Sequence, residues 1–165
     1  MRGILAGTVT ALIPSFLLIA FLPTVLHATG ALVVIAMLIY GAGQVLGTVA
    51  VPRLVRWRGA RRTLILGACG VAAAAAVLAV ARATEAGAVV TMFVLGFSVG
   101  LTIVPQQHRL FALVPGLAPV AVGLNGSAIY IAAPVGSGLG GGVLALAGAA
   151  TLAPAAAGVG VVAIT

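Results

Sequence analysis

The side chains in this 165-residue chain that could do chemistry are almost all uncharged hydrogen-bonding groups set in apolar surroundings. Tyr40, Gln44 and Thr48 step by four, and Thr91 and Ser98 are seven apart with Thr102 four further. Thr8 and Ser15, and again Tyr130 and Ser137, are seven apart. On a helix each set falls on one stripe. Such groups orient an uncharged or amphiphilic solute, or tie helices together at about 0.6 kcal/mol per bond. Bonding to neighbouring helices is the favoured role for the Ser and Thr hydroxyls, and contact with a solute for Gln44, Asn125 and Tyr130. Tyr40, Gln44, Ser98, Thr102, Asn125 and Tyr130 are the candidates for lining a solute cavity.

Catalytic chemistry finds little support, and the chain is read as a non-enzyme. It holds one acidic residue, Glu85, in a connector, and one cysteine, Cys69, in an apolar run. His27, His108 and Cys69 lie on different segments and make no metal site. Gly136 to Gly141 fit G-x-G-x-x-G, but no strand precedes them and no acid follows, so no dinucleotide or other cofactor is expected. Gly126-Ser127 has no histidine downstream to act as its base. Asn125-Gly126-Ser127 is a glycosylation sequon only in form, because it opens a span. The net charge of +7 sits in short connectors and forms no basic face on a folded domain, so no nucleic-acid partner is expected.

The elements that must carry these groups are membrane helices. The chain is 63% hydrophobic and 5% charged, against about 45–50% and about 25% in soluble domains. Apolar segments cover residues 3–26, 31–51, 63–81, 88–105, 120–146 and 149–165, and a crossing takes about 20 residues. The first run has 24 residues, longer than the about 7 to 15 of a signal-peptide core, and is read as an uncleaved span. A loop at 52–62 carries Arg53, Arg56, Arg58, Arg61 and Arg62. Each costs about 2.5–3.5 kcal/mol in mid-membrane, so the cluster belongs in water, and positive charge marks that water as cytoplasmic. With that loop inside, Arg2, Arg109 and both termini also fall inside, and Arg82 with Glu85 outside. The expected location is a multi-pass bacterial inner membrane, with lipid as a partner.

Glycines four apart let helices approach closely: Gly43 and Gly47, Gly96 and Gly100, Gly136 and Gly140, Gly138 and Gly142. The first, second, fourth and fifth spans carry polar residues, whereas the third and sixth nearly lack them and are expected to face lipid. This pattern repeats every three helices. The fold class is an all-α membrane protein of six transmembrane helices in a 3+3 inverted repeat, the architecture of one major facilitator half.

The residues also resemble that superfamily directly, in the C-terminal half of its drug/proton antiporter branch of arabinose-efflux-like and multidrug permeases. Residues 47–64, GTVAVPRLVRWRGARRTL, resemble the basic motif after the eighth helix. Gly47, Arg53, Gly59, Arg61 and Arg62 match it. Arg56 stands where an aspartate is frequent and Trp57 where an arginine is frequent, which leaves a charge-paired gate without its acid. Residues 106–144 resemble the tenth-to-eleventh-helix stretch, with Pro115, Asn125-Gly126-Ser127 and the closing glycines. The resemblance implies efflux of a small hydrophobic or amphiphilic solute by proton antiport, with the coupling acids in an N-terminal six-helix half that this chain lacks. It also implies that the chain is a fragment. A self-contained six-helix protein forming a homodimeric channel or transporter, and a membrane scaffold with no solute pathway, are the alternatives.

Overall fold

The computed structural model describes residues 2–26, 30–81, 84–113 and 115–162, and every regular element among them is helical. The helices are α1 (Arg2–Ala20), α2 (Leu22–Leu26), α3 (Ala31–Arg58), α4 (Ala60–Ala81), α5 (Glu85–Leu113), α6 (Ala118–Ala147) and α7 (Leu152–Val162). Short 3₁₀ turns at Pro115–Leu117 and Ala149–Thr151 introduce α6 and α7. Arg82, expected on the outer side, and His27 lie outside the described residues.

Four helices, α3 to α6, are long and apolar enough to cross a membrane; the apolar stretches Leu5–Ala20 and Ala149–Gly160 are shorter. The six full-length spans read from hydropathy therefore reduce to four long ones and two short ones. Proline explains the first case. Pro23 lacks an N–H and its ring presses on the carbonyl four residues back, so the run over 3–26 breaks at Phe21 between α1 and α2. At the other end Gly148 at φ 81° ends α6, and a 3₁₀ turn over Ala149–Thr151 takes the start of the last apolar stretch, with α7 described over Leu152–Val162.

The arginine-rich stretch is a second correction. Residues 52–58 are the final turns of α3, and α4 begins at Ala60. Charge says that a segment lies in water, not that it is a loop, and arginine is a good helix former. At 28 residues α3 extends about 42 Å, longer than the about 30 Å of a hydrocarbon core, so a helix of this length can cross one and still carry its basic end beyond it. Only Gly59 leaves the helix, at φ 81°, donating its N–H to the Val55 carbonyl. Likewise α5 does not stop at Pro105 but runs on to Leu113.

Glycines set the closest crossings. A Cβ on Gly43 or Gly47 of α3 would meet the backbone of Phe93 and Phe97 on α5, and one on Gly96 or Gly100 of α5 would meet the backbone of Tyr40, Gln44 and Thr48. The contacts advance together along both chains, so α3 and α5 run parallel. On α6 a Cβ at Gly136 would lie 2.8 Å from the Ile13 carbonyl oxygen, and one at Gly140 would lie 3.2 Å from that of Leu17. Thus α1 and α6 also run parallel. In contrast α4 is antiparallel to α5, with Gly67 beside Thr102 and Gly70 beside Ser98. Gly160 of α7 packs on Ala72 of α4. Gly138 and Gly142, also four apart, meet nothing within 4 Å.

The core lies between these crossings: Leu12, Leu17, Leu18 and Leu22 from the chain start, Val71 and Leu78 of α4, Met92 and Leu95 of α5, and Leu152 of α7. Its position divides the third span, expected to face lipid, into two faces: one side of α4 is buried, while Ile65, Leu66, Val77 and Val80 stay exposed on the other. In α4, 44% of the apolar stretch is buried, against 17% in α3 and in α6. Small residues of α4 let α5 and α7 close over it, whereas α3 and α6 expose Val34, Leu38, Val45, Val49, Tyr130 and Leu146.

Candidate functional site

A cavity of about 260 Å³ lies where α1, α3, α5 and α6 meet. From α1 come Leu12, Ser15, Phe16 and Ile19; from α3, Tyr40 and Gln44; from α5, Val99 and Ile103; from α6, Ile129. The α1 residues stand at i, i+3, i+4 and i+7, and the other pairs at i and i+4, so each helix offers one stripe. Neither α4 nor α7 contributes. Each contributing helix carries an internal proline, Pro14 in α1, Pro52 in α3, Pro105 in α5 and Pro134 in α6. No internal proline interrupts α4.

The walls are six aliphatic or phenyl side chains, and the polar part is two hydroxyls and one amide. Ser15 is 2% exposed and its Oγ has no hydrogen-bond partner. A buried hydroxyl left unpaired costs about 1–3 kcal/mol, so the pocket presents a group whose satisfaction by a guest is favourable. With no ionisable acid or base of ordinary pKa near neutrality in its lining, the pocket can hold and orient a molecule but offers it no proton transfer at physiological pH. Its volume is just below the about 300 to 1,000 Å³ of drug-sized sites, enough for a small solute or one end of a larger one.

Of the six cavity candidates, Tyr40 and Gln44 line this space. Ser98 and Thr102 do not. They are buried against Gly67 and Gly70 of α4, and their hydroxyls donate to the Val94 and Ser98 carbonyls of their own helix at 2.7 and 2.9 Å. Val99 and Ile103, one position further round α5, face the cavity instead. Asn125 is fully buried nearer the start of α6, where its Oδ1 accepts a hydrogen bond from Thr8 Oγ1 at 3.1 Å. Tyr130 is 81% exposed on the outer surface of α6. Most other hydroxyls also bond back to their own helix, as Thr91 does to Gly87 and Ser137 to Ala133.

In the sequence Ser15 stands out as a polar residue but not as a cavity group. Its stripe with Leu12 and Ile19 was the available signal. Gln106 was missed altogether: it is 2% exposed, with its Oε1 unpartnered and its amide nitrogen beside Gly7. It lies just past the apolar stretch that ends at Pro105, on the continuation of α5.

Outside the cavity, the motif residues gather at the α3–α4 corner. Arg53, Arg56, Arg58, Arg61 and Arg62 are exposed there, and the Arg53 guanidinium lies 5.9 Å from the Trp57 ring centre. Gly47, the first residue of the matched motif, is instead part of the α3–α5 crossing. Among the described residues no group of three or more His, Cys, Asp or Glu could hold a metal. No family model matches the chain, and no curated protein matches it.

Proposed function

We propose that this chain is a six-helix half of a secondary active transporter of the major facilitator type, carrying a small hydrophobic or amphiphilic solute outward by proton antiport. The observation that carries the reading is the cavity between α1, α3, α5 and α6, with its apolar walls and the hydrogen-bonding trio of Ser15, Tyr40 and Gln44. Apolar walls favour a solute by removing its surface from water, at about 25 cal/mol per Å². The trio fixes its orientation.

Helix pairing supports the repeat. Take α1, α3 and α4 as one triplet and α5, α6 and α7 as the other. Exchanging the triplets turns the α3–α5 pair into α6–α1, and the α4–α5 pair into α7–α1, all of which are packed pairs. The α4–α7 pair maps onto itself. Parallel α3 with α5, and parallel α1 with α6, also fit a chain that crosses alternately, because second and fourth, or first and fifth, crossings share a direction. On this reading the short α1 and α7 complete six crossings, and the bundle sits in a bacterial inner membrane with the arginine corner and both ends in the cytoplasm.

Coupling belongs elsewhere. The only acid of the chain, Glu85, is exposed in the first turn of α5, and moving protons through a membrane calls for an ionisable group inside it. A second six-helix bundle covering the open faces of α3 and α6 supplies those acids, and access alternates as the two bundles rock.

A direct test is binding of fluorescent amphiphilic dyes to the chain in nanodiscs. Gln44→Leu and Ser15→Leu are each expected to weaken binding about tenfold, one by removing an amide contact and the other by filling the pocket. Tyr130→Leu should leave it unchanged. Equal binding by all four proteins would remove the cavity from consideration. The other reading, a scaffold without a solute path, draws on the packing of Asn125 against Thr8 and of Ser98 and Thr102 against α4; it is the one left standing by that result.

A further inference from the structure

The α3–α4 corner carries two adjacent clefts that share one arginine. One, of about 300 Å³, is lined by Arg53, Leu54, Trp57 and Arg58. The other, of about 320 Å³, is lined by Arg58, Arg62, Ile65 and Leu66. Each combines two guanidinium groups with an apolar floor on the outer surface of the bundle. No acidic residue lies within this corner of the sequence, since the single acid of the chain is Glu85. Two of the five arginines, Arg61 and Arg62, also stand in the first turn of α4, where the helix dipole favours anions and no acid is present. The cluster is therefore a concentration of positive charge that the chain itself leaves unbalanced.

We infer that this corner is a binding site for a two-phosphate anionic phospholipid, a diphosphatidylglycerol. One phosphodiester sits between Arg53 and Arg58 and the other between Arg58 and Arg62, with acyl chains descending over Leu54, Ile65 and Leu66. Arginine suits the task because its planar fork binds phosphate oxygens in pairs. Trp57, 79% exposed beside Arg53, has the amphipathic ring that settles at headgroup depth. A water-soluble phosphate would use the guanidinium groups but leave the apolar floors uncovered, which is why the lipid is preferred. The inference needs α3 and α4 to lie in a bilayer; it does not depend on the solute cavity.

Trp57 is the only tryptophan, so its fluorescence reports this corner alone. The delipidated chain is reconstituted with lipids bearing brominated, quenching acyl chains: diphosphatidylglycerol, phosphatidylglycerol or phosphatidylcholine, compared at equal phosphate. Half-maximal quenching is expected at roughly tenfold lower mole fraction of diphosphatidylglycerol than of phosphatidylcholine, with phosphatidylglycerol between them. Arg58→Gln combined with Arg62→Gln, both at exposed positions, should remove most of that preference, and Arg109→Gln on α5 should not. Inorganic pyrophosphate in excess should fail to reverse the quenching. Equal quenching by the one-phosphate and two-phosphate lipids, an unchanged preference in the double variant, or displacement by pyrophosphate would each overturn the assignment. Dye binding at the solute cavity is unaffected by the double variant, so failure of one site is read separately from failure of the other.

Discussion

A polar side chain in an apolar helix is only a potential contact, and this protein shows how its neighbour decides the use. Ser98 and Thr102 have the residue types of a binding site, yet both hydroxyls are spent on carbonyls of α5 and both face glycines of α4. Ser98→Ala and Thr102→Ala should therefore leave dye affinity within twofold, measured beside the about tenfold loss expected of Gln44→Leu. Asn125→Leu loses the bond from Thr8, worth about 0.6 kcal/mol inside a membrane, and is expected to lower the thermal midpoint slightly without altering dye affinity. Residue type and spacing made Tyr40 and Gln44 legible as a pair, because a step of four on one helix keeps them on one stripe. They could not show that α5 turns Val99 and Ile103 to the cavity and its hydroxyls away. That choice is made by which neighbour has room, and the room comes from Gly67 and Gly70 on a different helix.

Among the helices, close approach of backbones is the main device. Gly96 and Gly100 could be picked out by spacing alone, as could Gly136 and Gly140, since small residues four apart are what a tight crossing needs. The same spacing at Gly138 and Gly142 marks no crossing, because those two residues point off the other side of α6. Gly96→Ala places a methyl group against the Tyr40 backbone, which has no rotamer to give, and should cost about 1–3 kcal/mol by forcing α3 from α5. Gly126→Ala, with nothing within 4 Å, is expected to stabilise by about 0.5–1 kcal/mol through helix propensity. Unfolding midpoints in detergent distinguish the two signs. Helix ends were harder to read than helix faces. Arginines at 53–58 suggest a loop and Pro105 a terminus, although a helix can carry charge beyond an apolar stretch without ending and α5 accommodates its proline within the bundle.

For the whole molecule, apolar runs made the all-helical class legible, and four helices are long and apolar enough to cross a membrane. The count of six rested on runs of apolar residues; these marked the turn at Gly148 between residues 146 and 149, but did not register the break at Phe21. Cys69 offers a native probe of the medium. It is exposed on the outside of α4, seven residues and about 10 Å past Arg62, inside the hydrocarbon of a crossing of about 30 Å. An uncharged maleimide should label it in membranes far faster than a sulfonated one, while both should label it in denaturing detergent. The account as a whole depends on how the bundle threads the bilayer, and this can be read in a Cys69→Ala background carrying one new cysteine at a time. With an impermeant maleimide on intact cells, Ala86→Cys and Ala150→Cys should label from outside. Ala60→Cys and Gly116→Cys should label only after the inner face is opened. Labelling of Ala60→Cys from outside, or of all four from one side, would contradict the threading on which the solute cavity depends.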